Sequence, residues 1–237
     1  MIIKSQIGIL TTYLRAWLRG GFVCLCILPL FLTSVPARAS DQIAAANNVI
    51  TSMIRDVETY LETDSGNVEK RTENIAKLLD THFDLPGIAR FSAGPYWRAA
   101  SEQERIDYIR TMRDVVIGTI VRNFDQLSGL RFTTIDRQAK GDKMVLVRGS
   151  FNDSTGKRPA VSVGWRVITP ATAPAKVLDV EIENISMLVT QKQENITMIR
   201  QNEGRFSALF EAMKKRQPAP YIAINKSQNI PAFFQSW

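Results

Sequence analysis

The sequence predicts an α+β domain in the order helices, four strands, helices. Three observations carry this reading. Apolar side chains recur at steps of three and four from Ile43 to Leu127. After Gly129 the period changes to two, and short polar turns separate four strand-like stretches. A helical period returns after Ser186. Strands joined by short turns form an antiparallel meander, and helices before and after it cover one face of such a sheet.

The first stretch reads as a secretory signal. Lys4, Arg15 and Arg19 precede an uncharged run from Gly20 to Ala37, whose apolar heart is Phe22 to Leu32. Ala37-Arg38-Ala39 is a small-x-small cleavage site, which makes residues 1–39 the signal peptide and Ser40 the mature start. An uncleaved anchor is the alternative, at the lower edge of spanning length. The same residues correct the charge. The whole chain has 30 basic and 23 acidic residues, a net +7, but four basic residues and no acid leave with the signal. The mature chain is therefore nearly balanced at +3, and Cys24 and Cys26 leave as well. An exported chain without cysteine forms no disulfide and has neither a thiol nucleophile nor a cysteine-ligated metal site. The expected compartment is the bacterial periplasm.

In the mature chain, Ile43, Ala46, Ile50, Met53, Val57 and Leu61 mark an amphipathic helix over 41–61, broken at Thr63 to Asn67. Val68, Ile75, Leu78, Leu79 and Phe83 mark a second. Leu85 to Gly94 is a short helix opened by Pro86. A longer one over 101–128 begins with the capping box Ser101/Glu104. Its apolar face is Ile109, Met112, Val116, Ile120, Phe124 and Leu127, widened by Val115, Ile117 and Val121. A helix this apolar is buried on more than one side or borders a cavity. The strands are expected over 131–138, 143–151, 160–168 and 176–184. In the last two, Val161, Val163, Trp165 and Val167, then Leu178, Val180 and Ile182, point one way. Helices over 186–202 and from Phe206 to Met213 close a domain spanning 40–216. Residues 217–237 lack periodicity and form a tail, taken as flexible, with Phe233, Phe234 and Trp237 near its end.

Little in this chain supports catalysis. His82 is the only histidine, and its helical setting beside Phe83 marks it as structural. Asp179, Glu181 and Glu183 read as a solvated strand face, because on one strand they span roughly 13 Å, too far to converge on a metal. No phosphate-binding glycine loop and no concentrated basic stripe is present, so neither nucleotide chemistry nor nucleic-acid binding is expected. What remains is an apolar surplus between the helix over 101–128 and the inward strand residues. It is either an ordinary core or a cleft for an apolar ligand.

Three stretches resemble the MlaC-type periplasmic phospholipid carriers, the toluene-tolerance family. They are Ala89 to Arg98 with Ala100 to Arg105, Val161 to Arg166, and Asp179 to Met187 with Gln191 to Glu194 and Gly204. Order and spacing agree over residues 41–216. The sequence departs from the family pattern at Ala93, Pro95 and Asn184, the last standing where the family has glycine. Asparagine accepts the left-handed backbone better than other non-glycine residues. The resemblance implies an apolar cleft between sheet and helices, no enzyme activity, and no cofactor beyond a bound lipid. It further implies a monomeric shuttle for a phospholipid or hopanoid-type lipid, serving an MCE-domain membrane complex and an outer-membrane lipoprotein complex. Val161, Val163, Trp165 and Ile185 match family positions as lipid-binding residues, and periodicity adds Val116, Ile120 and Val180. An envelope module whose apolar face docks a protein partner is the competing reading.

Overall fold

The computed structural model describes residues 36–64 and 66–215. Residues 1–35, most of the signal peptide expected over 1–39, and the tail expected over 217–237 lie outside the described residues. Six helices and five strands follow in the order α1 (Pro36–Thr63), α2 (Val68–His82), α3 (Leu85–Ser92), α4 (Glu102–Asn123), β1 (Leu130–Ala139), β2 (Met144–Asp153), β3 (Val161–Ile168), β4 (Lys176–Ile182), β5 (Ile185–Ser186), α5 (Met187–Gln201) and α6 (Ser207–Lys215). Helix α1 starts ahead of the expected mature start at Ser40.

The sheet is an antiparallel meander in the order β1-β2-β3-β4-β5. The fifth strand, which periodicity does not reveal, is two residues long. Glu183 and Asn184 form the two-residue hairpin before it, at φ 48° and 65°, so that Ile182 pairs with Ile185. Positive φ at both central residues matches the twist of the flanking strands. Ser162 N–H donates to the Glu183 carboxylate at 2.7 Å, and Glu183 N–H donates to Ser162 O at 3.0 Å, which holds the strained residue in place. Asn184 thus adopts the left-handed backbone that asparagine accepts better than other non-glycine residues.

Helix α4 starts where the sequence places its cap. Ser101 and Glu104 form the expected capping box of α4. The Asp84 carboxylate accepts from Gly87 N–H at the start of α3. Gly94-Pro95 does not end in coil but opens a 3-10 turn over Gly94–Arg98. Likewise α4 tightens into a 3-10 turn over Phe124–Leu127 instead of running to Ser128.

The helix lying across the sheet is α1, which packs on β1, β2, β3 and β4. The apolar stripe over 101–128 assigns that role to α4, which instead packs mainly on α2, α3 and α6. An apolar stripe shows that a helix face is buried, not what buries it. On α1 the stripe is Ala46, Ile50 and Met53, all buried, with Ile43, Val57 and Leu61 at its edges.

A second correction concerns β4. Its register against β3 slips between Arg166 and Val167, so Val167 pairs with Val177 and Arg166 with Asp179. Leu178 is the extra residue of this bulge, and Val177 takes the inward place that alternation assigned to Leu178. A bulge cannot be read from alternation, because both residues are apolar. The outer edge of β4 is closed by β5 at one end. At the other, Phe83 bridges to Val177, and Asp84 N–H donates to Val177 O at 2.9 Å.

The pair Asp153–Arg158 anchors the β2–β3 turn. Arg158 donates to Asp153 at 3.1 Å and, at 2.6 Å each, to Gln126 O and Ser128 O. Asp153 also accepts from the backbone N–H groups of Lys157 and Arg158 at 3.0 Å. The Arg158 guanidinium, followed by the Thr155 hydroxyl, holds the Asp153 carboxyl well below the usual carboxylate range. A depressed pKa stabilises the fold above the unfolded-state value, and that contribution fades as pH falls toward the folded-state value. Asp153→Asn should therefore lower stability near neutral pH. The gap from the natural protein should narrow below about pH 4, as read by urea denaturation at stepped pH. A gap independent of pH would contradict the assignment.

Candidate functional site

Between α1 and the sheet lies a cavity of about 90 Å³. Met53, Val57 and Leu61 of α1 form its roof, Ile75 and Leu78 of α2 one side, and Ile120 of α4 an end. The 3-10 turn contributes Phe124 and Leu127, and the floor is sheet: Phe132, Phe151, Trp165, Val180 and Ile182. Met187 closes the far side from α5. Apart from Glu58, whose carboxylate accepts from exposed Arg131 at 2.8 Å, every lining residue is apolar or, for Trp165, carries one indole N–H.

Backbone choices make room for this wall. Gly149 sits under the Phe132 ring; a Cβ there would stand 2.5 Å from Phe132 Cζ and 2.4 Å from Thr133 O. Because one of those atoms is backbone, relaxation is costly. Gly149→Ala should destabilise the protein by about 1–3 kcal/mol through overpacking and displace Phe132, measured by thermal melting. An unchanged melting temperature would show that the strand gives way freely. Phe132 meets Trp165 edge-on, with ring centroids 6.1 Å apart, and packs on Phe151 at 5.1 Å.

The seven residues singled out in the sequence divide as follows. Ile120, Trp165 and Val180 line the cavity. Val161 and Val163 are buried in the sheet core without lining it, and Val116 packs against the core from α4. Ile185 lies outside, 53 % exposed on β5. The roof residues on α1 and α2 were legible as apolar stripes, but a wall residue and a core residue have the same chemistry.

Polar groups elsewhere are held structurally. His82 Nε2 lies 2.8 Å from the Asp56 carboxylate and ties α2 to α1, the structural role expected of it. Asp179 and Glu181 are not a solvated face: they are only 4 % and 8 % exposed. Arg166 donates to both, at 3.1 Å to Asp179. Asp179 also accepts from the Ser186 hydroxyl at 2.6 Å and from Leu188 N–H at 2.9 Å, so it caps the start of α5. The Tyr108 hydroxyl, fully buried, lies 2.8 Å from Ser92 Oγ and accepts from Asn195 Nδ2 at 2.8 Å, which joins α3, α4 and α5. Burial pushes its pKa up to about 12. Ser92 therefore has hydrogen-bond partners but no base beside it. Among the described residues no group of three or more His, Cys, Asp or Glu side chains could hold a metal ion.

The fold and the cavity define an α+β protein with an apolar space between a helix and an antiparallel sheet. The chain belongs to the MlaC protein family, whose model matches residues 47–215. Among solved structures it is similar to the phospholipid-binding protein from Ralstonia solanacearum, determined in complex with a phospholipid. The TM-score is 0.62 at 18% identity, covering 74% of this chain and 96% of that one. At that identity the likeness establishes the fold. No curated protein matches the chain.

Proposed function

We propose that this chain is a soluble periplasmic lipid carrier. It encloses the acyl chains of a phospholipid or related membrane lipid between α1 and the sheet and shuttles it between envelope membranes. The observation that carries this reading is the cavity wall, apolar except at Glu58. At about 0.8 kcal/mol per buried methylene, acyl chains strongly resist crossing water unescorted. Family membership and the phospholipid bound by the Ralstonia solanacearum protein support it. Export by a signal peptide over 1–39, a monomeric state, and exchange with MCE-domain and outer-membrane lipoprotein complexes belong to the same proposal.

At about 90 Å³ the cavity is smaller than the ~150 Å³ apolar cavity that accepts benzene. Loading therefore requires the walls to part, and α1, which lies across the sheet as the roof, is the element whose displacement opens the space. The experiment is lipid transfer between vesicles. Fluorescent phospholipid in donor vesicles should reach acceptors faster in proportion to added protein. Transfer at the protein-free rate, with a stable protein partner recovered on Ile185 and Val189, the exposed apolar residues of β5 and α5, would favour the docking module instead.

A further inference from the structure

Trp165 is 7 % exposed, its indole lines the cavity, and its Nε1 has no hydrogen-bond partner. A buried indole N–H normally finds an acceptor, and one left unpaired lowers stability. The other walls offer none: they are hydrocarbon and thioether side chains, and the one carboxylate, of Glu58, is engaged by Arg131. The backbone on either side of Trp165 is paired into the sheet, with Val147 opposite it on β2 and Val180 on β4. A donor held without an acceptor in an otherwise apolar wall is satisfied by a guest that brings one.

Resting on the carrier reading above, we infer that Trp165 selects acyl lipids by donating a hydrogen bond from Nε1 to an acyl carbonyl oxygen. The carbonyl marks the boundary between chain and headgroup. The bond would therefore fix how deeply the lipid inserts, with the chains under α1 and the headgroup outside. A hydrocarbon polycycle has no acceptor to offer at that depth, and a dialkyl ether lacks the carbonyl oxygen that projects from the chain, keeping only an oxygen set within it. The inference thus narrows the cargo to lipids with acyl carbonyls, over hopanoid-type skeletons. The carbonyl can belong to a glycerol ester or to a free fatty acid.

The test compares dioctanoyl phosphatidylglycerol, its dioctyl-ether analogue and octanoate, titrated into the purified protein and into Trp165→Phe. The natural protein should bind the ester roughly tenfold more tightly than the ether, and Trp165→Phe should bind the two alike. Tighter binding of octanoate than of the diester would assign the donor to free fatty acid. In nitrogen-15 spectra the Trp165 indole N–H resonance should move downfield with the ester and not with the ether. That reading needs only the natural protein, assigned through Trp→Phe changes at the other tryptophans, so it stands even if Trp165→Phe does not fold. Equal affinity for ester and ether in the natural protein overturns the inference and leaves the carrier reading intact. So does an indole resonance indifferent to the ester, which would leave the Phe132 ring as its partner. Binding of none of the three overturns both.

Discussion

Val180→Asp should empty the protein of lipid while leaving it folded. Val180 lies on β4, paired with Trp165 across the floor of the cavity, and is only partly buried. Val180 keeps partial contact with solvent, so a carboxylate there retains some of its hydration and the cost to the fold should stay within about 3 kcal/mol. With acyl chains against it the carboxylate must shed that water, and no lining residue is a cation. Burying an unpaired charge costs several kcal/mol, equivalent to more than a hundredfold in affinity. Val180→Ala, which removes volume without adding charge, should retain lipid. Undiminished lipid in a cooperatively folded Val180→Asp protein would remove Val180 from the site.

Arg166→Met should be the most damaging single change on the opposite side of the sheet. The Asp179 side chain is 1 % exposed and that of Glu181 10 %, and Arg166 is the cation that faces both. Its removal leaves two buried carboxylates on neighbouring positions of one strand face. Breaking a buried pair in this way costs about 3–5 kcal/mol. The partial exposure of Arg166 itself places the effect near the lower end. Asp179 accepts from the Ser186 hydroxyl and Leu188 N–H at the start of α5, through both of its carboxylate oxygens. Adding Glu181→Gln to Arg166→Met should therefore recover part of the loss, whereas adding Asp179→Asn should deepen it. Equal effects of the two second changes in denaturant melts would contradict the capping role of Asp179.

Much of this architecture is legible in the residues. Ser101 and Glu104 announce the start of α4, and alternation at Val161, Val163, Trp165 and Val167 announces β3. The strand expected over 176–184 ends at Ile182, because Glu183 and Asn184 turn the chain into β5. Features set by tertiary pairing are not legible. Both α1 and α4 carry apolar residues at helical spacing, and only packing decides that α1 covers the sheet. The bulge at Leu178 depends on which of two apolar neighbours pairs with Val167. Asp179 and Glu181 look solvated until Arg166 and the first turn of α5 are laid over them.

The same limit governs the cavity. Ile120, Trp165 and Val180 were singled out in the sequence and stand in its wall, while Met53, Ile75, Leu78 and Phe124 join them from stripes that looked like plain core. A hydrocarbon side chain facing a void has the same identity as one facing another side chain. Among the described lining residues, Trp165 is the one whose side chain carries a buried polar atom without a partner.

The most direct test of the account is mass spectrometry of organic extracts from the purified protein, with lipid counted per chain. The natural protein should carry about one acyl lipid per chain, and Val180→Asp should be nearly empty. Lipid-free natural protein from membrane-containing cells, or equal lipid in both, would contradict it.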